Sequence, residues 1–105
     1  MKIEVLYVSD CPNHPPTVER VKQVLAAEGV RVPVHEVLVR NETDARALQF
    51  LGSPSVRVNG QDVEPVEDAS PRLSCRLYAN LTGVPGQDSL RRAIAGAKES
   101  DGKNL

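Results

Sequence analysis

The chain has 105 residues, of which 40% are hydrophobic, and its formal net charge at pH 7 is −1. This length predicts a single domain with one modest core, and the balanced charge argues against a nucleic-acid partner, which would require a basic surface. No apolar run approaches the roughly 20 residues of a membrane helix, and the first residues lack the apolar core of a signal peptide. We therefore expect a cytoplasmic protein with no membrane or nucleic-acid partner.

The first half of the chain predicts a strand, a helix and a second strand. Residues 2–8 are rich in Ile, Val and Tyr, which is typical of a buried strand, and residues 32–39 form a second β-type run. Between them, apolar side chains recur at helical spacing over residues 18–25. Pro15 and Pro16 are tolerated only in the first turn of this helix, because a proline has no N–H group to donate.

The second half predicts a short helix, a hairpin, a long loop and a last helix. Asn41 or Thr43 can cap a short helix that runs to Phe50. Alternating valines then lead into Asn59-Gly60, which is the strongest short hairpin signal. Residues 88–97 predict the last helix.

Residues 64–87 are irregular and rich in proline and glycine, and a loop of this length in a small domain is often functional. Leu73, Leu77 and Tyr78 are the side chains that we expect to be partly buried there.

The element order β-α-β-α-β-β-α predicts an α/β fold. A right-handed βαβ unit makes the first two strands parallel, and the hairpin adds two antiparallel strands. One mixed four-stranded sheet flanked by helices satisfies both conditions. We assign residues 1–97 to a single domain and residues 98–105 to a polar tail that we expect to fray.

Cys11 is the main candidate for a functional side chain, because it lies where the first strand passes into the helix. A thiol exposed at a helix N-terminus is stabilised as the thiolate, which is the form that attacks disulfides and binds soft metals. His14 could then act as a base, tune the thiol or bind a metal. The alternatives are a buried, inert Cys11, an exposed His14 without a role, and an Asn13 that caps the helix rather than contacts a substrate.

Three short elements resemble a known family. Cys11-Pro12-Asn13 follows the first strand, residues 52–60 read Gly-Ser-Pro-Ser-Val-Arg-Val-Asn-Gly, and residues 74–78 read Ser-Cys-Arg-Leu-Tyr. Together with the element order, they resemble the thioredoxin and glutaredoxin fold over nearly the whole chain. More narrowly, the sequence is similar to a small bacterial thioredoxin-like family that carries these three elements.

The resemblance implies that Pro54 is a cis-proline beside the active cysteine, and that Ser53, Pro54 and Asn13 line the substrate groove. Thioredoxins carry Trp-Cys-Gly-Pro-Cys, whereas here His14 stands in place of the second cysteine. A dithiol cycle within this motif is therefore impossible. The hairpin is not followed by the Gly-Gly-type element with which glutaredoxins hold glutathione, so we predict no cofactor.

Cys75 lies in the long loop, which in the resembled fold can return towards the start of the first helix. It could resolve a mixed disulfide or a sulfenic acid at Cys11. With Cys11 and His14 it could instead complete a soft-metal site, and the alternative to both is a buried loop cysteine beside Leu73 and Leu77.

Three arginines in the second half of the chain are candidates for binding an anionic substrate. Arg57 alternates with two valines, so we expect it to point to water, while Arg72 and Arg76 lie in the long loop. The leading hypothesis is a thiol-dependent redox protein acting on a disulfide substrate through Cys11. The alternatives are a zinc, copper or mercury binding protein and a non-catalytic binding module; substrate, reductant and oligomeric state stay open.

Overall fold

The computed structural model describes residues 1–66 and 70–103 and contains three helices and six short strands within those ranges. The elements are β1 (Ile3–Tyr7), α1 (His14–Ala27), β2 (Val34–Leu38), α2 (Glu42–Leu48), β3 (Leu51–Ser53), β4 (Ser55–Val58), β5 (Gln61–Asp62), β6 (Arg72–Cys75) and α3 (Gln87–Lys103).

Four strands form one mixed sheet in the order β2-β1-β4-β5. β1 pairs parallel with β2 and antiparallel with β4, so that Val5 lies between Glu36 and Val56. β4 and β5 form the hairpin, in which Asn59 and Gly60 both have positive φ, as a tight two-residue turn requires. The predictions of an α/β protein, a mixed four-stranded sheet and this hairpin are confirmed.

Helices cover both faces of the sheet, and each face has its own apolar cluster. Because side chains alternate along a strand, Ile3 and Val5 of β1 point to one face and Leu6 points to the other. On the first face they pack with buried residues of α1 and α3, and on the second Leu6 packs with Val39, Ala45 and Phe50 around α2. The first cluster holds α1 against β1, on either side of the turn that contains Cys11.

A second, two-stranded sheet lies outside these predictions. β3 and β6 pair parallel, with Leu51 opposite Arg72 and Ser53 opposite Cys75. The short helix ends earlier than its apolar pattern predicts, because Gln49 adopts a left-handed conformation that lets the chain enter β3. β6 lies in the segment predicted to be irregular, and a parallel pair between distant short segments leaves no local sequence signal.

The last helix continues past Ala97 to Lys103, into the segment predicted to be a frayed tail, whose last two residues lie outside the described ranges. None of the helices in the described part of the chain has the length and apolar character needed to span a bilayer.

Candidate functional site around Cys11

Cys11 lies in the turn between β1 and α1, and its side chain is turned inward. Its backbone N–H donates to Val8 O at 3.3 Å, and the His14 N–H donates to Cys11 O at 3.2 Å. Asp10 on one side adopts a left-handed conformation and Pro12 on the other is exposed, but Cys11 itself is only 6% exposed. The expected open thiol at the mouth of the helix is therefore wrong, because the residue is buried.

Residues of two strands hold the side chain of His14. Its ring stacks on Tyr7 of β1, with the ring centroids 3.6 Å apart and the planes inclined by 7°. Its Nε2 atom lies 2.7 Å from Glu36 Oε1 of β2. Because an ionised carboxylate can only accept a hydrogen bond, Nε2 of His14 is the donor in this contact. His14 thus ties the start of α1 to the edge of the sheet, and the sequence gives no signal for its partners Tyr7 and Glu36.

Ser53 and Pro54 lie at the same end of the sheet as Cys11. The Ser53–Pro54 peptide bond is cis, which is the isomer that the resemblance implies. The Ser53 hydroxyl accepts a hydrogen bond from the Val8 N–H at 3.1 Å, so Val8 connects the cysteine turn to this segment. Both residues are buried, however, so neither lines an open groove.

Arg76 and Tyr78 hold the segment around Pro54 from the side of the long loop. The Tyr78 hydroxyl donates to Pro54 O at 2.6 Å, and Arg76 Nη1 donates to the Ser55 hydroxyl at 3.1 Å. The Arg76 guanidinium also forms a two-point ion pair with Asp62, at 2.6 and 2.9 Å, and lies 4.3 Å from the centre of the Tyr78 ring. Because Arg76 and Tyr78 are two residues apart, their side chains lie on the same face of an extended segment.

Burial and the ion pair set the charges of this group. Burial raises the pKa of Tyr78 well above its usual value, and the nearby Arg76 offsets only part of that rise, so the phenol stays a donor. Burial alone would lower the pKa of Arg76, but hydrogen bonding to Asp62 and the surrounding negative groups raise it. The site therefore keeps a fixed positive charge that Asp62 neutralises.

Several expectations for side chains of the second half are wrong. Arg57 does not point to water, because its Nη2 donates to Leu48 O and Gln49 O at the C-terminal end of α2, at 2.6 and 3.0 Å. Leu77 is 67% exposed, whereas Arg76 is buried. Leu77 is exposed and Arg76 is buried because the Asp62 carboxylate lies in the interior and binds the Arg76 guanidinium.

The side chain of Asn13 makes no capping hydrogen bond, contrary to the cap prediction. It packs instead against the long loop, so closely that a Cβ atom at Gly83 would fall 2.1 Å from Asn13 Nδ2. Only glycine fits at this contact without moving the amide.

The two cysteines are both free and lie in different environments. Cys11 is buried, whereas Cys75 is exposed at the end of β6. In the described ranges, no three His, Cys, Asp or Glu side chains are grouped so that they could hold a metal ion. The proposed ligand set of Cys11, His14 and Cys75 is thus not assembled, because His14 is bound to Glu36 and Cys75 faces outward.

Two surface cavities lie near these residues. One, of about 340 Å³, is lined by Leu51, Val66, Arg72, Cys75, Arg76 and Leu77. Another, of about 640 Å³, lies at the start of α3 between Arg20 and Ser89. Neither is lined by Cys11, which is buried.

Comparisons with protein-family models, with curated proteins and with solved structures give no match.

Proposed function

We propose that this protein is a thioredoxin-like, thiol-dependent redox protein that acts on a disulfide or related thiol substrate through Cys11. The observation that carries the proposal is the position of Cys11 between β1 and α1, linked through Val8 to the Ser53–Pro54 segment. The parallel β1–β2 pair extended by an antiparallel hairpin is the arrangement expected from the resemblance and supports it. A cytoplasmic location, where thiols are kept reduced, belongs to the same proposal.

The chemistry proceeds by thiol–disulfide exchange. The Cys11 thiolate attacks one sulfur of the substrate disulfide, a new S–S bond forms, and the substrate bond breaks with its electron pair leaving on the second sulfur. A second thiol then attacks the Cys11 sulfur and releases the bound half of the substrate. Cys75 is a candidate for this step, because it pairs with Ser53, next to Pro54. An external thiol would afterwards reduce the resulting disulfide.

Insulin reduction in the presence of dithiothreitol tests the proposal. We expect the wild-type protein to accelerate the reaction and Cys11→Ser to abolish the acceleration. Cys75→Ser is the matched control, because it removes the exposed thiol and keeps Cys11; a partial loss in this variant would identify Cys75 as the resolving thiol. Equal rates for wild type and Cys11→Ser would contradict the enzyme function.

Burial of Cys11 favours one second candidate, a binding module of the same fold with an unreactive thiol. The same assay separates the two, since such a module would not accelerate insulin reduction at any concentration.

A further inference from the structure

The segment that joins β6 to α3 contacts the surroundings of Cys11 on both sides. We call residues 77–86 the cover segment. At one end Tyr78 donates to Pro54 O, in the middle Gly83 packs on Asn13, and at the other end Pro85 O accepts a hydrogen bond from Arg20 Nη1 at 3.1 Å. Pro54 stands between β3 and β4, Asn13 directly precedes the first residue of α1, and Arg20 lies further along α1. The cover segment therefore bridges the β3–β4 junction and α1, and its contact with Asn13 lies next to the turn that holds Cys11.

Few side chains fasten the cover segment to the core. Tyr78 and Pro85 are buried, but residues 79–82 between them are exposed, and Leu81 is 79% exposed. Within the exposed part, the Tyr78 N–H donates to Thr82 O and the Leu81 N–H donates to Tyr78 O, both at 2.9 Å. One hydrogen bond from outside the segment adds to this turn, from the Ala79 N–H to the Glu64 carboxylate. A segment with few buried apolar contacts opens at a lower free energy than the whole domain.

The cover segment is fixed more firmly on its N-terminal side than along its length. Arg76, which precedes it, is buried in the ion pair with Asp62, and its N–H donates to Ser53 O at 2.9 Å. Opening can therefore begin after Arg76 and leave both sheets intact.

We infer that the cover segment is a lid over Cys11, and that reagents and substrates reach the sulfur only when the lid lifts from Pro54 and Asn13. The inference concerns access to the thiol and holds whether or not Cys11 exchanges disulfides. It accounts for a thiol that is almost fully buried although exposed residues flank it in the sequence.

Alkylation of Cys11 by iodoacetamide tests the lid in a Cys75→Ser background, where Cys11 is the one remaining thiol. Tyr78→Phe and Arg20→Gln each remove one hydrogen bond that holds the lid, and Arg46→Gln is the control on the exposed face of α2. We expect each lid variant to raise the labelling rate roughly fivefold to tenfold, the equivalent of one hydrogen bond. The control should label at the rate of its parent.

Urea below the unfolding transition separates lid opening from global unfolding. If the lid opens locally, the labelling rate of the parent depends only weakly on urea, because little surface is exposed. A rate that rises as steeply with urea as the unfolding equilibrium would overturn the inference. Equal labelling rates in the parent and in a folded Arg20→Gln variant would overturn it as well.

Discussion

At the scale of single residues, Arg76 shows how one carboxylate decides which side chains face inward. Its guanidinium is buried because both carboxylate oxygens of Asp62 accept hydrogen bonds from it. The guanidinium also lies over the ring of Tyr78, which adds a cation–π interaction. Tyr78 then follows on the same face and reaches Pro54. The sequence identifies the Ser-Cys-Arg-Leu-Tyr element as distinctive and predicts that Tyr78 is buried. It does not show that Arg76 points inward, because Asp62 lies in a separate strand.

The raised pKa of Tyr78 predicts a loss of stability at high pH. The phenol ionises in the unfolded chain near its usual pKa of about 10 but stays protonated in the folded protein. The phenol therefore contributes fully to the free energy of unfolding when the pH is below the pKa of the unfolded chain. This contribution is lost as the pH rises towards the pKa of Tyr78 in the folded protein. Between about pH 9 and about pH 11, wild type should lose about 1.4 kcal/mol more free energy of unfolding than Tyr78→Phe.

Urea denaturation of both proteins at the two pH values measures this difference, and the other titrating groups cancel in the comparison. Equal losses in wild type and Tyr78→Phe would show that the phenol also ionises in the folded protein.

At the scale of elements, local signals predicted the parts of the fold that are local. The Asn59-Gly60 turn joins neighbouring strands, and the side chain of Asn41 accepts from the Asp44 N–H at the start of α2, as a cap should. The β3–β6 pair joins residues far apart in the chain and was missed, as was the burial of Cys11. Both depend on contacts with segments that the local sequence does not specify.

Gly52 lies where β3 and β6 approach each other closely. It has φ of +111°, and a Cβ atom there would lie 3.1 Å from both Arg76 Cβ and Ser74 O. Gly29 also has positive φ, but a Cβ atom at that position would meet no atom within 4 Å. We expect Gly52→Ala to lower the free energy of unfolding by about 1–3 kcal/mol more than Gly29→Ala does, because only Gly52 is overpacked as well as strained.

Urea denaturation of the two alanine variants gives the comparison directly. If both variants lose the same free energy of unfolding, β6 can move away from β3 at little cost in stability.

At the scale of the whole molecule, two apolar clusters fix one sheet between helices, and the candidate site lies at the end of that sheet where β1 leads into α1. Hydrophobic periodicity, the Asn59-Gly60 turn and the handedness of βαβ units were sufficient for the α/β class and the mixed sheet. The cysteine at the first strand-to-helix junction marked the candidate site. The depth of the thiol and the lid across it were not predictable, because exposure depends on the packing of residues 77–86 against α1 and Pro54.

Trapping of a mixed disulfide at Cys11 tests the central proposal most directly. The folded Cys75→Ser protein is incubated with glutathione disulfide, used as a small disulfide probe, and is then analysed by mass spectrometry and peptide mapping. We predict one glutathione adduct per chain, on Cys11, and none on a variant that lacks both cysteines. An unmodified Cys11 in the folded protein, under conditions in which the urea-unfolded chain accepts the adduct, would contradict the proposed function.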